Sequence, residues 1–128
     1  MVRWFHCEHH AHTHGFIGQH HSGVSDGQTT LFSVPSNMDK TIDALIFLTK
    51  TFVNVPNVVG IQILNEPNNV PELLSFYNRA LDSLRSATPD AERFPFYVHD
   101  GFDMRRGTDY VEGRNDWVVL DHHACASL

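Results

Sequence analysis

Val58-Val59-Gly60-Ile61-Gln62-Ile63-Leu64-Asn65-Glu66-Pro67 decides the reading of this chain. An apolar run, interrupted only by Gln62, leads straight into Asn-Glu-Pro. It is short, rich in β-branched residues and stopped by a proline. That pattern predicts a strand over 58–64, buried on both faces as in a parallel sheet covered by helices. Strand ends of parallel α/β sheets and barrels open onto the crevice where ligands bind. Glu66 therefore stands where a catalytic acid would sit. From the strand and the carboxylate alone, a solvated loop that begins at Glu66 explains the pattern equally well.

Working outward, the alternation continues on both sides. Val2 to His10 reads as a strand and Ala11 to Ser36 as a long glycine-containing loop. Long loops of this kind are functional or disordered. Ser36 offers an N-cap with Asp39 three residues on. Ile42, Leu45, Ile46 and Phe52 recur at helical spacing, which predicts a helix over about 37–53. After the Glu66 strand, Asn68-Asn69 and Pro71 signal a second helix start. The stripe Leu73, Tyr77, Ala80, Leu81 and Leu84 carries that helix to about Ala87 as core packing. Thr88-Pro89-Asp90 is a turn. Strands follow at Phe94–His99 and Trp117–Leu120, with a short helix expected near Asp109–Arg114. Strands alternating with helices predict a parallel sheet. No dinucleotide fingerprint or phosphate loop follows any strand.

What collects at the strand ends is ionisable or polar: His10, Asn65, Glu66, His99, Asp100, His122 and His123. Such scatter suits a β/α barrel, whose strand ends surround one site. A full barrel takes about 250 residues. The 128 residues of this chain supply about half of one. The net charge of −6 argues against a general nucleic-acid surface. No run of about 18 apolar residues predicts a membrane span. Met1-Val2-Arg3-Trp4-Phe5 runs at once into His6, which is no signal peptide, and the location of the chain stays open. The two cysteines, Cys7 and Cys125, set no disulfide framework.

The set "VVGIQILNEP", "LLSFYNRALDSLRSATPD", "FPFYVHDGFD" and "RNDWVVLDHH" resembles strands four to six of glycoside hydrolase family 5 in order and spacing. It is most similar to the family's fungal exo-β-1,3-glucanase branch. "HHSGVSDG" at 20–27 resembles the loop after the third strand, and Glu8-His9-His10-Ala11 stands where that family has Asp-Leu-His-Ala or Asp-Leu-His-Gly. The resemblance covers residues 8 to 123. It implies an α/β fold, an incomplete (β/α)8 TIM barrel of strands three to six. It makes residues 1–128 one partial catalytic domain, truncated at both ends. It implies hydrolysis of a β-glucan or oligosaccharide by a retaining mechanism, with no cofactor and no metal. Glu66 matches the general acid/base. Asn65, His10 and His123 match sugar-site residues, His123 being the His of a His-x-Tyr pattern. Phe102, just past a strand end, is the candidate for stacking on a sugar ring, whereas Trp117 opens a strand and is assigned to the core.

The sequence also departs from that family. Cys125 replaces the Tyr of His-x-Tyr, and no counterpart of the nucleophile Glu is present. Retaining glycosidases need two carboxyl groups about 5–5.5 Å apart. The expectation is that this polypeptide alone has little or no glucanase activity, and that the open sheet edges of a half barrel favour self-association. Members of the family are commonly secreted.

Other constellations offer other chemistry. Seven of the ten His fall within the first 21 residues. His12 and His14 would share a face of an extended segment and could share a zinc ion, with Asp100 or Asp121 as base for a metal-activated water. A polar His-rich loop lining a sugar site is the simpler account. Asp121-His122-His123 also resembles the Asp-His-His of a manganese phosphoesterase family, on three residues only. A non-catalytic barrel remnant is the remaining alternative. His99-Asp100 is either a coupled pair at the cleft or a turn in which Asp100 satisfies backbone before Gly101. Arg105-Arg106 reads as a solvated basic pair.

Overall fold

The computed structural model describes residues 30–124. The elements run in the order α1 (Pro35–Phe52), β1 (Ile61–Gln62), α2 (Leu73–Ala87), a 3-10 helix (Pro89–Arg93), β2 (Phe96–His99), α3 (Met104–Glu112) and β3 (Val118–Asp121). The three strands form one parallel sheet in the order β1-β2-β3. Ile61 stands beside Phe96, and Phe96 beside Val118, so the three strand ends point the same way. Consecutive strands are neighbours, a winding compatible with a barrel segment and with an open sheet alike. The predicted strand over Val2–His10 lies outside the described residues.

The core lies between the helices and the sheet. The α2 stripe is fully buried, with Tyr77, Ala80, Leu81 and Leu84 at 1% exposure or less. It shares one buried cluster with Phe96 and Val98 of β2, and α1, with Ile42 and Leu45 buried, packs on α2. Burying side chains of this size is the main favourable contribution to folding, about 1.5–3 kcal/mol each. The Tyr77 hydroxyl keeps its polarity satisfied by donating to the His99 carbonyl at 2.9 Å. Burial pushes its phenol far above the usual range.

Several expectations are corrected. Helix α1 starts at Pro35 with Val34 as N-cap and no side-chain cap, not at Ser36. Proline at the first position has the fixed φ a helix needs and no N–H to satisfy. Helix α2 starts at Leu73 with Glu72 at the N-cap, so Asn68 and Asn69 do not cap it. Asn69 instead accepts from Arg106. Arg106 also donates to the Val70 and Pro71 carbonyls at 3.1 and 3.2 Å, so it ties α3 to the loop before α2 rather than standing in solvent. Helix α3 begins at Met104, five residues before the expected start, because Asp103 caps it by accepting from the Arg106 N–H at 3.0 Å.

Strand β1 is shorter than its apolar run. Val58 is held in a turn by its bond to the Val55 carbonyl, and Val59 is 64% exposed. Among the described residues its main-chain partners are on the β2 side, through Ile61 N–H to Pro95 O and Ile63 N–H to Tyr97 O. Gly60 sits where a Cβ would come within 2.4 Å of the Tyr97 ring and 2.6 Å of the Pro95 carbonyl. The expectation of burial on both faces therefore fails for the first half of the run and holds for Ile63 and Leu64. Trp117 is 59% exposed and not in the core.

At the start of the strands, Arg85 of α2 gathers three segments. Its guanidinium donates to the carbonyls of Ala91, Phe94 (2.5 Å) and Trp117 (3.0 Å), and stacks over the Phe96 ring at 4.5 Å. One cation thus closes the 3-10 helix and the entries to β2 and β3.

Candidate functional site

The opposite end of the sheet holds the ionisable residues. Strand register places His99 beside Asp121. The next residues, Asp100 and His122-His123, leave the sheet at the same level, and Glu66 follows β1 by four positions. His123 is the hub. Its Nδ1 lies 2.8 Å from Glu66 Oε1, and its Nε2 lies 3.2 Å from Asp121 Oδ2. The same Asp121 oxygen accepts from Gln62 Nε2 at 2.9 Å. A chain of hydrogen bonds therefore runs from β1 through β3 back to the loop after β1. Charge-assisted bonds of this kind are about twice as strong as neutral ones.

A second pair stands beside it. His122 Nδ1 lies 2.6 Å from Asp100 Oδ2. The other Asp100 oxygen accepts from the Phe102 N–H at 2.8 Å. The turn reading of Asp100 is thus realised, and the imidazole it bonds is that of His122 rather than His99, whose Nδ1 lies 3.6 Å from Asp100 Oδ1. His99 is fully buried between the two sets, edge-on to His123 at 4.6 Å and to Phe102 at 5.0 Å. Its Nδ1 accepts from the Gly101 N–H at 2.9 Å, which leaves the proton of the neutral ring on Nε2. Burial pushes the His99 imidazole below its usual range, and His123 adds to this, against Asp100, Asp121 and Glu66.

Backbone strain concentrates here as well. Among the described residues, the non-glycine residues with positive φ are Glu66 (45°) and Phe102 (67°). A bulky residue in this region is rare and costs of order 1–3 kcal/mol. Gly101 (φ 65°) and Phe102 are the central residues of a turn closed by Asp103 N–H to Asp100 O at 3.2 Å. The turn leaves the Phe102 side chain 44% exposed at the rim. Helix α3 backs the Asp100 turn closely at Gly107, where a Cβ would meet Asp100 Cβ at 2.6 Å and Leu120 Cδ1 at 2.9 Å.

Of the residues singled out in the sequence, Glu66 and His123 are brought into direct contact. Asn65 is half-buried beside Glu66, and Phe102 stands at the rim. His10, with His12 and His14, lies outside the described residues. Among the described residues no group of three or more His, Cys, Asp or Glu is placed to hold a metal ion. Gln62 was missed. Its signal was available: a lone amide in an apolar strand must find a partner. No helix among the described residues is long and apolar enough to cross a membrane.

Two known proteins are similar to this chain. One is "Glucan 1,3-beta-glucosidase 3" of Schizosaccharomyces pombe, 32% identical over 108 residues, which is 81% of this chain and 22% of that protein. Another is "Probable glucan 1,3-beta-glucosidase A" of Aspergillus clavatus, 34% identical over 91 residues, 66% of this chain and 21% of that protein. No protein-family profile matches the chain, and no solved structure does. The chain thus spans about a fifth of the length of the curated relatives it matches.

Proposed function

We propose that this chain is a segment of a glycoside hydrolase acting on β-glucan, most similar to the exo-β-1,3-glucanase branch of glycoside hydrolase family 5. In this reading the sheet is part of a (β/α)8 barrel and Glu66 is the general acid/base of a retaining mechanism. One observation carries the proposal: the Glu66 carboxylate, in the loop after β1, is held in a strained backbone conformation and bonded to an imidazole that follows β3. A general acid must keep its orientation while it donates to the leaving oxygen and later activates water. A carboxylate held through His123 meets that requirement. Phe102 offers an aromatic face at the rim for the apolar side of a sugar, and Asn65 stands beside Glu66 for its hydroxyls.

The mechanism needs a second carboxylate as nucleophile, about 5–5.5 Å from the first. Asp121 and Asp100 are both committed to imidazoles and to Gln62 or backbone. They serve as orienting groups in this reading, and the nucleophile comes from elsewhere in a longer protein. The resemblance and the names of the relatives support a β-1,3-glucan as substrate.

The test is a graft. The stretch of the S. pombe relative that matches this chain is replaced by the chain's own residues, and glucose release from β-1,3-glucan is measured. The graft is expected to hydrolyse the glucan. Its Glu66→Gln variant should lose about 10²–10⁴-fold in turnover. A folded graft whose activity survives Glu66→Gln would refute the assignment.

A further inference from the structure

We infer that Asp121, braced by Gln62, is a positioning residue that fixes the tautomer of His123 and so determines which nitrogen faces Glu66. The inference rests on the reading of Glu66 as acid/base for its purpose, but not for its test. Three groups face the His123 ring among the described residues: Glu66 from the loop after β1, Asp121 from β3 and His99 from β2. His99 offers ring edge contact at 4.6 Å and has its own Nδ1 occupied by Gly101. The two carboxyls therefore decide the hydrogens on His123.

The decision follows from counting donors. Asp121 Oδ2 accepts the Gln62 amide N–H at 2.9 Å. An oxygen already serving as acceptor receives a second N–H from His123 Nε2 at 3.2 Å. A neutral imidazole has one N–H and one acceptor nitrogen. With Nε2 carrying the hydrogen, Nδ1 is left as the acceptor 2.8 Å from Glu66 Oε1. The acid form of Glu66 then donates its O–H to Nδ1. The opposite tautomer would turn an N–H toward Glu66 and suit only its carboxylate form. Asp121 thereby selects the arrangement that accommodates a general acid before it reacts. Gln62 is the brace: it holds the Asp121 oxygen in place from β1, the strand that also delivers Glu66.

The experiment is long-range proton–nitrogen correlation NMR on the ¹⁵N-histidine-labelled 128-residue chain carrying Glu66→Gln, whose amide N–H stands in for the O–H of the acid form, recorded where the imidazoles are neutral, with His123 assigned by the signal absent when His123→Gln is added. The expected pattern in this variant is a protonated Nε2 and an acceptor Nδ1. A ring protonated on Nδ1 would overturn the inference. Asp121→Leu is expected to abolish the Nε2–H preference, and an unchanged tautomer would overturn the role given to Asp121. If Asp121→Leu does not fold, Gln62→Leu weakens the same brace and should reduce the preference, whereas no change would remove Gln62 from the device. None of these readouts requires substrate. A graft that hydrolyses no glucan therefore leaves the tautomer result standing, and a wrong tautomer leaves the glycosidase reading standing.

Discussion

The two ends of the three-stranded sheet are built by different chemistry. Where the strands begin, one guanidinium satisfies three carbonyls and lies on Phe96, so the polar groups are neutral acceptors around a single cation. Where the strands end, Glu66, Asp100 and Asp121 face His99, His122 and His123, and two non-glycine residues hold positive φ. The difference separates stability from chemistry. The first end has little to gain from titration. The second end stores strain and carries groups whose charge depends on their neighbours, the arrangement expected of a working site.

The largest test of this division is the Glu66→Gln loss in the graft, where activity should collapse while the urea unfolding midpoint moves little. At the other end, Arg85→Ala should lower stability by about 2–3 kcal/mol in urea unfolding, since charge-assisted hydrogen bonds each contribute about 1.5–3 kcal/mol and part of that is recovered from water. A smaller cost would mean that the apolar core alone closes this end. Gly107→Ala should cost about 1–3 kcal/mol by overpacking against Asp100 and Leu120, and should also disturb the His122–Asp100 contact. A shift of His122 resonances with no change at His123 would show that the two pairs are independent. Phe102→Asn should stay within about 1 kcal/mol of the parent, because Asn tolerates positive φ and the ring is partly exposed. A loss of several kcal/mol would place Phe102 with the core instead.

The smallest expected effect is that of acid. Burial favours neutral His99 in the folded chain, so its folded pKa lies below the unfolded value of 6.5. The unfolded chain then binds the proton first. Stability is full above the unfolded value and declines as pH falls through the folded one. His99→Phe should flatten that decline, and an equally steep curve would assign it to other groups.

Much of this was legible in the sequence, and the exceptions have physical causes. The α2 stripe at 73–84 announced its burial because five residues repeat at helical spacing on one face. Glu66 and His123 were legible as strand-end residues, since periodicity locates strand ends. Their contact was not legible, because 57 positions separate them. Helix starts were misread at Ser36 and Asn68-Asn69, because a capping residue is only as good as the backbone angle it receives and Pro35 decided the matter first. Trp117 was misread because a residue at the head of a strand can face solvent although its neighbours do not. Arg85 gave no sequence signal at all: its acceptors are main-chain carbonyls, which every residue has.

The strand Val118-Val119-Leu120 has three half-buried apolar residues in a row. Their side chains barely distinguish one alignment with β2 from the next, since a one-residue slip would exchange similar shapes. The residues that follow are not interchangeable. Asp121 and His123 sit two apart and join one hydrogen-bonded set, while His122 between them joins the other. A slip of one position would deprive both imidazoles of their carboxylates and bury unpaired polar groups. The cluster thus acts as a proofreading device for the strand that presents it: the alignment in which the site is complete is also the alignment in which β3 is correctly laid.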